Sequence, residues 1–303
     1  MDALSTLIEA TKIESVVYNK LVNRAPWGIE AAEDNNSQYW RLISGSCVIG
    51  LPDGEIINMR EGDLVFIPHG SAHWIADKAT SIRVPAAEYT KARMAGIPIF
   101  WGDGEEAIII GGHFHFGERN HLLLKDLPRI IRITEFATDH QLMLDQTAQL
   151  ILAELSKEKP GSRIMLKALA EILFINIIRA YLEQAVHQTG FFSALNDAPI
   201  SKALKLIQDA PGKEWTLKSI AENVGLSRSV FFNRFKKLVG ATPSTYLTDW
   251  RITHAKEILL TSNNNINEIA EKVGYQSEAA FNRIFKSKTG YTPAAFRRNQ
   301  SYR

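Results

Sequence analysis

Asn233, Asn282 and Arg283 carry side chains able to form paired hydrogen bonds with base edges: an amide matches adenine, and a guanidinium matches guanine, in a major groove. Around them stand Arg228, Ser229, Phe232 and Lys236 in one short segment, and Glu278, Ala279 and Lys286 in another. Lys236, Lys286 and Lys288 suit phosphates, contacts that position a duplex without reading it. Phe232 is unusual on such a face; it can pack on thymine methyls or lean onto its own domain. These residues form a set because their segments are copies. Ile220-Ala221-Glu222-Asn223-Val224-Gly225 returns as Ile269-Ala270-Glu271-Lys272-Val273-Gly274. Phe231, Phe235, Lys236, Gly240, Thr242 and Pro243 return as Phe281, Phe285, Lys286, Gly290, Thr292 and Pro293.

The elements that must hold these side chains follow from spacing. Leu217, Ile220, Ala221 and Val224 recur at i, i+3, i+4 and i+7, which predicts a helix with one apolar face, capped by Thr216 and broken at Gly225. Ser227 then caps a second helix that buries Phe231 and Phe235 and turns Arg228, Ser229, Phe232, Asn233 and Lys236 outward. The second copy uses Asn265 as cap, Ile266, Ile269, Ala270 and Val273 as apolar face, and Gly274 as turn, with one more residue before Phe281. Between the copies, Tyr246, Leu247, Trp250, Ile252, Ala255, Ile258 and Leu259 describe one long amphipathic helix. Two helix-turn-helix units, about 216–238 and 265–288, are thereby braced so that both can enter successive major-groove faces roughly 34 Å apart. Charge agrees: from residue 200 onward 17 Lys/Arg face 8 Asp/Glu, a net of +9, against −7 (18 and 25) for the rest. The predicted partner is double-stranded DNA.

With these motifs in hand, residues 197–303 resemble the DNA-binding domain of the AraC/XylS family of regulators, including the ending Gly290-Tyr-Thr-Pro293-Ala-Ala-Phe296-Arg297-Arg298. The resemblance implies base-reading positions at Ser229, Phe232 and Asn233 in the first unit and at Glu278, Ala279, Asn282 and Arg283 in the second. A first-unit position often occupied by Arg or Gln is here Phe232 or Asn233. RNA polymerase is a further partner in keeping with that family.

From about residue 13 to 116 the pattern is one of short strands: Tyr39–Ile49, a turn at Pro52-Asp53-Gly54, Glu55–Met59, Asp63–Pro68, Ala72–Ala76, Ser81–Ala86 and Ala107–Phe116, preceded by a helix over residues 1–12. That predicts a β-barrel or sandwich. Within it, Gly62-Asp63-Leu-Val-Phe-Ile-Pro68-His69-Gly70-Ser-Ala-His73 resembles the second conserved box of cupins. Gly111-Gly112-His113-Phe114-His115-Phe116, Leu122-Leu123 and Leu127-Pro128 resemble the cupin sensors fused to AraC-type domains. In metal-bearing cupins the position of His73 is a ligand, and His113 and His115, alternating on a strand, could join it. No histidine stands around Gln38–Ile49, where the family's other ligands belong. No cofactor is therefore expected, and metal is the less favoured alternative. Trp40, Phe66, His73, Trp74 and His115 are the candidate lining for a small effector of unknown identity.

From Asp139 to about His187 two helices are expected, broken at Lys159-Pro160-Gly161. The second is apolar over much of its circumference, which predicts packing on the barrel and on a second copy of the chain. The domain reading is 1–135 for a cupin-like sensor, 136–190 for a helical connector and dimerisation region, 191–199 for a linker and 200–303 for the DNA-binding module. The class is α+β multidomain: a cupin-like barrel or sandwich, a central helical hairpin and a C-terminal all-α tandem helix-turn-helix domain. Composition, with 45% apolar residues and one cysteine, Cys47, fits a cytoplasmic protein without disulfides, membrane span or export signal. No nucleophile–base set or phosphate loop is legible, so an enzyme is not predicted. Two rivals stand beside the effector-controlled regulator. One is a metal-dependent cupin enzyme with a DNA-binding tail; the other is a ligand-independent regulator whose barrel only scaffolds a dimer.

Overall fold

A computed structural model describes residues 2–11, 14–34, 36–115, 124, 127–134, 141–156, 159–184 and 191–300. They form two units, Lys12–Val186 and Met1–Thr11 together with His187–Arg303. In chain order the elements begin with α1 (Ala3–Thr11), β1 (Glu14–Arg24), β2 (Gly28–Ala31), β3 (Ser37–Ser44), β4 (Ser46–Gly50), β5 (Ile56–Arg60), β6 (Leu64–Ile67), β7 (His73–Ala76) and β8 (Val84–Pro85). Then come α2 (Ala86–Met94), β9 (Glu106–His115), β10 (Ile131–Ile133), α3 (Gln141–Leu155), α4 (Ser162–Gln184), α5 (Phe191–Asn196) and α6 (Ala198–Asp209). The chain continues with α7 (Leu217–Asn223), α8 (Arg228–Val239), α9 (Pro243–Thr261), α10 (Ile266–Lys272), α11 (Glu278–Thr289) and α12 (Pro293–Gln300).

The strands build two five-stranded sheets, ordered β1-β9-β3-β6-β10 and β5-β4-β7-β2-β8. Their apolar faces meet in one core: Leu21, Leu42, Val65, Ile67 and Ile109 from the first sheet, against Ile29, Ile49, Met59 and Ile75 from the second. Strand β5 shows the alternation of a half-solvated strand, whereas β6 is buried at every position. The reason lies on its outer face, where Phe66 and Phe114 pack edge-on against Phe174 of α4, with ring centroids 6.1 and 5.1 Å away. Arg41 reaches from β3 to Asp145, tying α3 to the same sheet. The sheet thus covers one side of α4.

Several boundaries differ from the sequence reading. The expected strand Tyr39–Ile49 is two strands in different sheets, because Gly45 turns the chain with a φ of 85°. Ser81–Ala86 contains only the two-residue β8. The helix after it, α2, has no buried residue and so no apolar period to betray it. Strands β1 and β2 were not separately legible. The expected join 191–199 is helical, holding α5 and the start of α6: Phe192 and Ala194 are buried, and Asp197 caps α6 by accepting from Ile200 N at 3.2 Å. The first eleven residues group with the C-terminal unit and not with the barrel. Phe116, Leu122, Leu123, Asp139, His187 and Gln188–Gly190 lie outside the described residues. Among the described residues no helix is long and apolar enough to cross a membrane.

In the C-terminal unit the repeat is visible as geometry. Phe231 and Phe235 meet at 5.5 Å and 64°, and Phe281 and Phe285 at 5.5 Å and 62°. Thr216 and Asn265 close reciprocal capping boxes with Ser219 and Glu268, and Ser227 and Ser277 cap α8 and α11. Gly274 turns between its helices with a φ of 86°; a Cβ there would come within 2.5 Å of Arg251 Nη2, so the site is closed to other residues on both counts.

Candidate nucleic-acid interface and barrel cavity

The strut α9 is pinned along its length. Trp250 Nε1 donates to Gln208 O at 3.3 Å, and Gln208 Nε2 donates to Tyr246 Oη at 2.9 Å. Arg251 donates through Nε to Pro211 O at 2.8 Å and through Nη2 to Lys213 O at 3.0 Å. Its guanidinium also lies 5.7 Å from the centre of the Tyr275 ring, in the second unit's turn. Arg297 donates from α12 to Leu259 O and Asn264 O. Backbone carbonyls held by buried or half-buried donors leave the two helix pairs little freedom to shift along the strut.

On that frame the predicted reading residues fall as follows. Arg228, Ser229, Asn233 and Lys236 of α8 are exposed, and Phe232 is half-buried. Glu278, Ala279, Arg283 and Lys286 of α11 are exposed. Asn282 is half-buried and donates to Glu278 Oε1 at 3.4 Å. Among the described residues Arg228, Lys236, Arg283 and Lys286 have no ion-pair partner, so their charge is available to a polyanion. Lys288 is a correction: its Nζ pairs with Asp249 Oδ1 of α9 at 2.6 Å, which makes it a brace and not a free phosphate contact. Sequence reasoning missed a second brace, Arg234, whose Nε and Nη2 donate to Asp197 Oδ2 at 2.8 and 2.6 Å and lock α8 to the α5–α6 corner. Thirty-seven residues separate the partners, and no spacing rule connects them.

The barrel unit holds a cavity of 340 Å³ between α2 and the inner faces of β1, β2, β3 and β9, within the size range of small-molecule sites. Leu21, Ile29, Gln38, Trp40, Tyr89 and His113 line it. Tyr89 is held over it by donating to Asn23 Oδ1 at 3.0 Å and by stacking on Phe100. Burial holds the His113 imidazole below its usual protonation range, with the charge of Asp34 opposing in part.

The other predicted lining residues divide. Trp40 points inward, and its Nε1 donates to His73 Nε2 at 2.8 Å. His73 Nδ1 faces Ser71 O at 2.9 Å, so that nitrogen carries the proton and Nε2 accepts. Both nitrogens are committed, no lone pair is left for a metal, and burial keeps the ring neutral. Phe66 corrects the sequence reading: it lies on the opposite face of the sheet, against α4, because β6 alternates Val65 and Ile67 inward with Leu64 and Phe66 outward. Trp74 likewise points outward, covering Gly50 and lying under Arg83 at 3.8 Å. His115 Nδ1 donates to Asn36 Oδ1 at 3.0 Å. Among the described residues His73, His113 and His115 are not part of any group of three or more His, Cys, Asp or Glu placed to hold a metal. Of the cupin-like box, Gly70 and Asp63 are structural. A Cβ on Gly70 would meet the carbonyls of Asn36 and Asp34 at 2.6 Å, and Asp63 accepts from Arg60 N and Arg132 Nη2, each at 3.1 Å. Gln38 could have been found, since it shares strand parity with Trp40; Tyr89 could not, because α2 was invisible.

Residues 2–183 match the cupin family and residues 220–299 match a helix-turn-helix domain family. The chain is 29% identical to the HTH-type transcriptional regulator AlkR of Acinetobacter baylyi, covering 98% of this chain and 99% of that one. It is 28% identical to an uncharacterized HTH-type transcriptional regulator of Haemophilus influenzae, covering 99% and 100%. The crystal structure of the DNA-binding domain of AdpA in complex with a target DNA aligns at 26% identity and a TM-score of 0.32, over 33% of this chain and 91% of that one.

Proposed function

The chain is an AraC-type transcriptional regulator with an N-terminal cupin domain, and from that premise we propose how its residues divide the work. Ser229, Phe232 and Asn233 of α8 and Glu278, Ala279, Asn282 and Arg283 of α11 read bases. Arg228, Lys236 and Lys286 anchor phosphates. The observation that carries this assignment is that these residues are exposed, save the half-buried Phe232 and Asn282, with four cations unpaired among the described residues. The test is selection from random duplexes by the full chain at ordinary ionic strength. Two half-sites one helical turn apart are expected, and recovery of no preferred sequence overturns the reading.

The barrel is a receptor and not an enzyme: its cavity binds a small effector, and occupancy changes operator affinity by favouring one arrangement of the protein. What supports this is the cavity under α2, built from an apolar floor and a few polar groups. Operator affinity unaltered by a whole metabolite extract would instead favour the scaffold alternative. The chain acts in the cytoplasm as a dimer through α4. On that helix Met165, Ala168, Ile172, Ile175 and Arg179 fall at alternating three- and four-residue steps on the side away from Phe174. Ile164 (62% exposed), Met165 (53%) and Ile172 (43%) are apolar there, a seam with coiled-coil spacing. Metal does not enter this reading, since both His73 nitrogens are occupied.

A further inference from the structure

The cavity has a chemical bias of its own. Gln38 is 7% exposed and lines it, yet among the described residues its side-chain amide has no hydrogen-bond partner. The amide opens onto the cavity, where it offers both donors and an acceptor to whatever occupies that space. The His113 ring lines the same space, also without a partner among the described residues. Trp40 contributes only its ring, because its indole N–H is spent on His73. That ring packs against Gly111, where a Cβ would come within 2.4 Å of Trp40 Cζ3; the glycine leaves the indole the room to serve as a wall. Leu21 and Ile29 complete the apolar floor.

The charges at the rim are unequal. Glu30, Glu33 and Asp34 border the cavity against a single guanidinium, that of Arg93, which already donates to Asn19 Oδ1. Asp34 is felt at depth, since its charge acts on both His113 and His73. An anion entering this space would be desolvated beside like charges, whereas a neutral or positive donor would be favoured.

We propose that the cavity takes a small neutral or cationic compound joining an apolar ring to an amide or amine, and that it rejects carboxylates of the same shape. The ring lies on Trp40 and the polar group completes Gln38, with its donors turned toward Asp34. This rests on the reading of the barrel as an effector site and adds the ligand class to it.

The test uses the full chain at neutral pH with three probes on one skeleton, phenethylamine, 2-phenylacetamide and phenylacetate, followed by saturation-transfer NMR and titration. The amine and the amide are expected to bind at least tenfold more tightly than phenylacetate. Gln38→Leu is expected to weaken the amide about tenfold, and Asp34→Asn to narrow the gap between amide and carboxylate; the thermal midpoint of each variant reports whether it folds. Phenylacetate binding as well as the other two, and losing affinity in Gln38→Leu, overturns the ligand class while leaving the effector reading in place. Failure of all three probes also overturns the class. The effector reading is judged separately, by the response of operator affinity to a metabolite extract.

Discussion

Replacing Asp197 with alanine removes two supports at once, and the structure allows them to be separated. Its Oδ1 accepts from Ile200 N at 3.2 Å, an N-cap contribution of about 1 kcal/mol. Its Oδ2 accepts from Arg234 Nε and Nη2 at 2.8 and 2.6 Å. The Asp197 side chain is 13% exposed and that of Arg234 45%, so solvent screens the pair and about 1 kcal/mol is a reasonable contribution. Asp197→Ala is therefore expected to lower the local stability of the α5–α6 corner by about 2 kcal/mol, and Asp197→Asn, which keeps an acceptor for the cap, by about 1. Arg234→Ala alone is expected to cost about 1 kcal/mol, and the double variant about 2, giving a coupling of about 1 kcal/mol. Hydrogen exchange of the full chain, followed in peptides over residues 191–209, reads these values locally without requiring the two units to unfold together. A loss of about 2 kcal/mol appears as roughly thirtyfold faster exchange. If Asp197→Asn and Arg234→Ala both exchange like the parent, and only Asp197→Ala is faster, the brace is not energetically real.

Four further outcomes follow from the same geometry. Arg283→Ala is expected to weaken the selected operator by about 1–3 kcal/mol while sparing random duplex; equal loss on both in a competition assay marks Arg283 as a phosphate contact. Lys286→Ala is expected to weaken all duplexes alike and to reduce the slope of log affinity against log salt by about 1, and an unchanged slope contradicts that role. Ile172→Glu places a charge in the α4 seam and is expected to shift the chain toward monomer in sedimentation; a parent that is itself monomeric refutes the seam. Burial keeps His73 and His113 neutral in the folded barrel, while the unfolded chain takes up protons near the ordinary value of 6.5. Their contribution to stability is thus present above about pH 6.5 and lost as pH falls further, so the barrel's thermal midpoint is expected to drop between about pH 7 and 5. A midpoint independent of pH over that window contradicts the burial of both rings as neutral species.

The sequence alone determined the paired helix-turn-helix units, because each is a local object. Caps such as Thr216 and Asn265, turns at Gly225 and Gly274, and the pairs Phe231/Phe235 and Phe281/Phe285 all act within a few residues of one another, and periodicity records such contacts directly. The many-stranded barrel-or-sandwich character of the N-terminal half was legible for the same reason, from short strands and turn residues. Only the tertiary structure decided which side of each strand is inside. Phe66 and Trp40 are equally apolar in the sequence, yet one packs on α4 and the other faces the cavity, since a helix over a hundred residues away covers the outer face. It likewise turned Lys288 from a phosphate contact into a brace through Asp249, and disclosed the brace between Arg234 and Asp197. Long-range pairing of this kind leaves no spacing in the chain. It is set by where distant elements happen to come to rest, and so it appears only once they are packed.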